Sequence, residues 1–267
     1  MFTELLKETS CMKTVAIIQA RTGSTRLPGK VLLPIYGKPA LQWIIDRVAK
    51  CNEVDLIVVA TTRHPNDTKL ADLCDELGIS CFRGSENDVL DRYYQAARSF
   101  SLHNGQRIVR LTGDCPFIDP DVCDAVIRLQ QETGADYVSN TMPPSYPDGL
   151  DCEVFLFEAL EKAWREAEKD YEREHVTQYM IRNPELFTMK NLTAEENLSH
   201  MRWTLDRPED YLFLSAVAEH FGRYDFSTEE IVALLREKPS LMEINSVFKR
   251  NESLDIDIQG EQAGVLA

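Results

Sequence analysis

The 267-residue chain has no apolar run approaching the ~20 residues that a membrane-spanning helix requires, so no membrane partner is expected. Its first residues, MFTELLKETSCMK, lack the apolar core of a secretory signal. Its seven cysteines are scattered, and none stands in CxxC spacing. An odd, dispersed set fits reduced thiols in the cytoplasm better than a disulfide framework or a zinc site. Positive charge is scarce: 29 Lys and Arg against 44 Asp and Glu leave a formal charge of −15. A nucleic-acid partner is disfavoured, because such binding needs a broad basic footprint. Internal repeats and low-complexity segments are also absent.

A local absence runs the other way. From Thr9 to Ile45 there is no Asp or Glu, while Lys13, Arg21, Arg26, Lys30 and Lys38 all fall in that window. At its centre, residues 19–30 read QARTGSTRLPGK, directly after the apolar VAII. A basic pocket in an acidic protein suggests a small polyanion, and the plainer alternative is a solvated loop whose Gly and Pro only make turns. Gly23 and Gly29 would let backbone N–H groups approach phosphate oxygens. Arg21 and Arg26 can form forked bonds to phosphate, and Lys30 adds a compact charge. The loop is neither GxxxxGK[ST] nor GxGxxG, which disfavours a P-loop or dinucleotide site. A nucleoside triphosphate suits it best.

Around this loop the first half alternates strands and helices. Strands are expected at VAIIQA, DLIVVAT, SCFRG, RIVRLTG and DYVSN. Helices are expected near ALQWIIDRVAKC, DTKLADLCDELG, DVLDRYYQAARSF and residues 121–132. Such alternation reads as a mostly parallel sheet with right-handed crossovers, whose ligands bind outside the carboxyl ends of the strands. The loops leaving those ends are RTGSTRLPGK, TRHPND, GSEND and GDCPFIDP. The first and last exceed ordinary loop composition, whereas the middle two do not. The second half departs from the pattern. PPSYPDGLDCEVF reads as a loop entering a strand. FEALEKAWREAEK and REHVTQYMIRN read as helices, the latter with His175 and Tyr179 on one face. HMRWTLDRPEDYLFLSAVAEHF reads as a short strand into a helix. Residues 12–250 are expected to form a single domain, with a nucleotide-binding half at 12–142 and a second half at 143–250. Residues 1–11 are expected as an optional leader and 251–267 as a loosely held tail.

A triphosphate usually brings Mg²⁺, which needs carboxylates. Asp114, in GDCP, and Asp206, in WTLDRPED, are both expected at strand ends and are the candidate metal ligands. Each has the alternative of a capping or turn role, which Asp119 fits better. Cys115 stands beside the candidate chemistry, though a small packing residue is the commoner case.

These motifs together resemble a known family. QARTGSTRLPGK is similar to the signature of the CMP-sugar synthetases, the cytidylyltransferases that activate Kdo and sialic acids. LTGDCPFIDP and WTLDRPED are similar to their later blocks. GSENDVLDRY, PDGLDCEVF and REHVTQYMI resemble the branch known as spore coat polysaccharide biosynthesis protein F. The resemblance runs from about Met12 to Asn245. It implies the three-layer α/β fold of nucleotide-diphospho-sugar transferases, which is Rossmann-like. CTP would lie along Ala20, Arg21, Gly23, Ser24, Arg26 and Lys30, with Mg²⁺ on Asp114 and Asp206. Arg21, Arg26, Lys30 and Asp114 would carry the chemistry. Asp148, Asp151, Glu153, Arg173, Glu174 and His175 would face a sugar-acid acceptor, and a homodimer would be usual. For His175 and Arg173 a packed histidine and a surface charge cluster stay open as alternatives. Two further functions also stay open. One is a GT-A-like glycosyltransferase using a nucleotide sugar, for which GDC supplies one Asp and the tail's Asp255-Ile256-Asp257 two. The other is a non-catalytic nucleotide-binding protein.

Overall fold

The structure, a computed structural model, describes residues 14–250, 252, 254 and 255. The expected leader lies outside the described residues, as does most of the expected tail. The first strand, β1 (Thr14–Gln19), explains the sheet's character. Val15 and Ile17 point into one apolar cluster, and Ala16 and Ile18 into a second on the opposite face. A strand apolar on both sides belongs in the middle of a covered parallel sheet.

The seven-stranded sheet bears this out. In space its order is β5 (Ser80–Gly84), β4 (Leu56–Thr62), β1, β6 (Arg107–Thr112), β8 (Glu153–Leu156), β7 (Tyr137–Ser139) and β9 (Met189–Asn191). β5, β4, β1 and β6 are parallel, and β8 runs antiparallel to both of its neighbours. A separate hairpin joins β2 (Pro34–Ile35) to β3 (Lys38–Pro39). One face is covered by α3 (Val89–Ser99) and α5 (Phe157–Glu166), through residues such as Leu90, Tyr93, Leu160 and Ala163. The other is covered by α1 (Ala40–Val48), α2 (Thr68–Leu77) and α4 (Pro120–Thr133), through Leu41, Ile44, Leu70 and Val126. This is the expected three-layer arrangement.

Two expectations for the second half need correction. REHVTQYMIRN is not one helix. α6 (Asp170–Glu174) and α7 (Gln178–Arg182) are separate, and Val176 between them has φ 53°. His175 and Tyr179 therefore do not share a helical face. Second, Trp203–Leu205 is not a strand: a single bridge, Asp148 to Arg202, is the β-pairing there. The chain then enters α8 (Pro208–Phe221), followed by α9 (Thr228–Glu237) and α10 (Ser240–Glu243). A third cluster seats these helices on the first half, with Trp203, Phe213 and Phe226 packed around Trp43 and Phe117.

The Asp148–Arg202 crossing depends on one glycine. Asp148 N–H donates to the Met201 carbonyl at 2.9 Å, and Trp203 N–H donates to the Asp148 carbonyl at 2.5 Å. Gly149 has φ 115°, and a Cβ on it would stand 2.6 Å from the Trp203 carbonyl carbon. Any side chain would push apart the two segments that carry Asp148 and Asp206. Gly149→Ala should cost about 2 kcal/mol or more, from strained φ plus a backbone clash. Thermal melts should show Tm lower by roughly 4 °C or more, whereas an unchanged Tm would contradict this account of the crossing.

Candidate active site

A cavity of about 950 Å³ opens at the carboxyl ends of the central strands. Pockets for drug-sized ligands run to about 300–1,000 Å³, so a nucleotide and a second small molecule fit its scale. The loop after β1 forms one wall, and the turn after β6 adds Gly113, Asp114 and Cys115. Of the proposed residues, Ala20, Arg21, Gly23, Ser24, Arg26 and Lys30 line it, as do Asp114, Asp148, Asp151, Glu153, Glu174, His175 and Asp206. Arg173 stands elsewhere. Its Nη2 and Nε donate to Asp88 at 2.5 and 3.0 Å, and Nη1 donates to the Trp164 carbonyl at 2.7 Å. Asp88 also caps α3 by accepting from Asp91 N–H. Arg173 thus pins α6 to α3, and the ligand wall does not include it.

The basic loop is held from behind. Asp67, buried in the TRHPND segment, accepts from Thr22 N–H at 2.7 Å, from Thr22 Oγ1 at 2.6 Å and from Thr62 Oγ1. Thr22 sits between Arg21 and Gly23, so this carboxylate fixes the loop's entry. Gly29 closes the loop by donating its N–H to the Thr22 carbonyl at 2.9 Å. That N–H is used internally, contrary to the expected phosphate contact. The TRHPND loop, ordinary by composition, is therefore a brace.

Two carboxylates from distant sequence meet at one cation. Lys30 Nζ donates to Asp114 Oδ2 at 2.9 Å and to Asp206 Oδ1 at 2.5 Å. Arg26 Nη2 reaches the other oxygen of Asp206 at 3.0 Å. Asp206 is oriented by Asp210, which accepts from the N–H groups of Asp206 and Arg207 and from Arg202. Burial alone would raise the Asp114 pKa; the Lys30 charge and hydrogen bonds from Thr112 and Lys30 outweigh it and bring it down to about 2. Burial likewise works against the Lys30 charge, and the two aspartates overcome it and raise its pKa. Burial and Asp114 push the Cys115 thiol well up, which disfavours its thiolate form. Cys51, Cys74, Cys81, Cys115, Cys123 and Cys152 are all free.

Asp114 and Asp206 fit a magnesium site by their chemistry. Mg²⁺ is commonly held by one or two carboxylates together with phosphate oxygens and water. Here two carboxylates converge closely enough to share one ammonium group. Among the described residues there is no group of three or more His, Cys, Asp or Glu that could hold a metal without such help.

The far wall is built of paired charges. Arg110 on β6 and Glu153 on β8 are register partners and form an ion pair. Glu153 also accepts from Tyr137 and Thr177, each at 2.7 Å. Arg202 holds Asp148 at 2.9 Å and Asp210 at 2.8 Å, while Arg250 holds Asp151. Asp119, as expected, caps α4, accepting from the N–H groups of Asp121 and Val122. Arg92, Arg110, Thr177, Gln178 and Arg202 also line the cavity and were not among the sequence candidates. Of the expected tail, Glu252 and Leu254 edge the cavity. Asp257, half of the tail's DID motif, lies outside the described residues.

A mostly parallel sheet whose carboxyl ends carry a basic loop and two converging carboxylates is the architecture of the α/β nucleotidyltransferases. Comparison with known proteins specifies it further: residues 15–254 match the family model described as Cytidylyltransferase, and the chain belongs to that family. It is 38% identical over 248 residues to an uncharacterised protein of Methanocaldococcus jannaschii, covering 92% of this chain and all of that one. It is 37% identical over 231 residues to the spore coat polysaccharide biosynthesis protein SpsF of Bacillus subtilis, covering 84% of this chain and 94% of that one. The solved structure of a cytidylyltransferase from Leptospira borgpetersenii superposes with a TM-score of 0.82 at 34% identity, covering 86% of this chain and 97% of that one.

The acidic wall gives a pH prediction. Burial, then Asp151, raises the Asp148 pKa to about 7 against the pull of Arg250 and Arg202. A carboxyl whose folded pKa lies above its ordinary 3.8 favours the fold when protonated. Its contribution is lost as pH rises from that value toward about 7, and then levels. Relative to the wild type, Asp148→Asn should therefore be more favourable at about pH 8 than at about pH 5. Thermal melts of both proteins at the two pH values check this; a pH-independent Tm difference would contradict it.

Proposed function

We propose that this protein transfers CMP from CTP to a hydroxyl of a sugar acid, releasing pyrophosphate, in the biosynthesis of a surface polysaccharide. The observation that carries the reading is the meeting of the acid-free loop with Asp114 and Asp206 through Lys30 and Arg26. Membership of the cytidylyltransferase family and similarity to SpsF support it.

The sugar hydroxyl attacks the α-phosphorus in line. A new P–O bond forms as the bond to the β-phosphate bridge breaks, pyrophosphate departs, and the hydroxyl proton passes to water. Such transfers depend on positioning and charge neutralisation rather than a protein nucleophile. Arg26 and Lys30 would offset charge on the departing pyrophosphate, with Arg21 beside them on the same loop. Asp114 and Asp206 would hold Mg²⁺, which when bound supplies further neutralisation at the phosphates. Asp148, Asp151, Glu153, Glu174 and His175, which also line the cavity, would meet the acceptor.

Pyrophosphate release should be measured with Mg²⁺ and CTP against Kdo, sialic, legionaminic and pseudaminic acids, with UTP as control. Release with CTP and one acid sugar is expected. Lys30→Ala and Asp114→Asn should each lower kcat by roughly 10²–10³-fold. Near-full turnover in both variants would remove them from the chemistry. Sugar transfer without pyrophosphate release would instead indicate a glycosyltransferase.

A further inference from the structure

Five arginines line the cavity, and four of them face carboxylates. Arg21 meets Glu174, Arg26 meets Asp206, Arg110 meets Glu153, and Arg202 meets Asp148 and Asp210. Arg92, on α3, differs. It is 2% exposed, and no carboxylate among the described residues forms an ion pair with it. Its Nη1 donates to the Ser85 carbonyl at 2.6 Å, and its Nε, like that of Arg110, is buried without a partner. Burial lowers its pKa; Glu174 and Asp67 lie near enough to oppose this through space, but neither forms an ion pair with it.

The position is built. A Cβ on Gly84 would stand 2.8 Å from Arg92 Cγ, so the bare glycine makes room for the arginine's stem. The helix that carries it is capped by Asp88 and tied to α6 by Arg173. Arg47 makes a useful contrast. It is also buried with its Nε unpartnered, but its guanidinium lies 4.7 Å from the Phe226 ring centre, and a ring face offsets a cation. Arg92 has no such ring among the described residues. A buried guanidinium has five N–H donors and no acceptor of its own, and a buried charge is normally paired. An oxyanion entering the cavity would supply the missing partner.

We propose that Arg92 is an anion-recognising residue of this cavity, binding either a phosphate of the nucleotide or the carboxylate of an acid sugar. The inference rests on the reading of the cavity as a ligand site. Placed beside the basic loop's wall, Arg92 would fix the ligand's orientation with forked hydrogen bonds that a lysine cannot reproduce.

The test is calorimetric titration of the full chain and of Arg92→Met and Arg92→Lys. The probes are CTP, tripolyphosphate and cytidine, followed by Kdo added to the CTP-loaded protein, all with Mg²⁺. If the partner is a phosphate, CTP and tripolyphosphate should bind Arg92→Met about 10- to 100-fold more weakly, with cytidine unaffected. If it is a carboxylate, those affinities should hold and that for Kdo should fall by a similar factor. Arg92→Lys should lie between wild type and Met in either case, and it carries the test if Arg92→Met does not fold. Equal affinities of wild type and variants for every probe would overturn the proposal. A wild type that binds tripolyphosphate but not CTP would instead sink the cytidylyltransfer reading and leave the Arg92 comparison intact.

Discussion

The Lys30 ammonium group, bonded to Asp114 and Asp206 at once, is the contact on which the site depends. Three separate parts of the chain supply its members: the loop after β1, the turn after β6, and the extended segment before α8. Each needs its own support. Asp67 anchors the loop through Thr22, Thr112 orients Asp114, and Asp210 with Arg202 orients Asp206. Gly149 lets the segment carrying Asp206 lie against the one carrying Asp148. The loop's cations have counter-charges within the protein: Arg21 with Glu174, Arg26 with Asp206, and Lys30 with Asp114 and Asp206.

The charge pattern of the sequence follows from this arrangement. The chain is strongly acidic, yet the stretch that forms the loop has no acid. A carboxylate within the loop would repel a phosphate ligand and compete for Arg26 and Lys30. The acids that do approach come from other parts of the chain: Asp114 from the turn after β6, Asp206 from the extended segment before α8 and Glu174 from the end of α6, each matched to a cation. The opposite wall obeys the same rule through the pairs Arg110–Glu153 and Arg202–Asp148. Of the five arginines lining the cavity, Arg92 is the one that forms no ion pair with a carboxylate among the described residues.

Much of the fold was legible because the central strands are buried on both faces and flanked by amphipathic helices. β1, β4, β5 and β6 fall within a residue or so of where the apolar runs put them. The basic loop and Asp114 were legible from composition, from the rule of strand carboxyl ends and from family resemblance; Asp206 was expected at a strand end, but it follows an extended segment that forms no strand. Other features were hidden for physical reasons. β9 is three residues of mixed character at a sheet edge, too short for periodicity. Val176 takes φ 53°, a conformation that β-branched residues avoid, while its neighbour Thr177 bonds to Glu153. Arg173 adjoins Glu174 in sequence, yet its side chain points to Asp88. Arg92 looks like an ordinary helical cation, and only the bare Gly84 beside it shows why it is buried. α9 did carry a signal, the Ser227–Glu230 capping box before an amphipathic run.

The most direct test is the position of CTP in a crystal of its Mg²⁺ complex. The account predicts the triphosphate against Arg21, Arg26 and Lys30, with Lys30 drawn off at least one of Asp114 and Asp206 toward phosphate. A nucleotide bound elsewhere, or one that leaves Lys30 bonded to both aspartates and touching no phosphate, would contradict it.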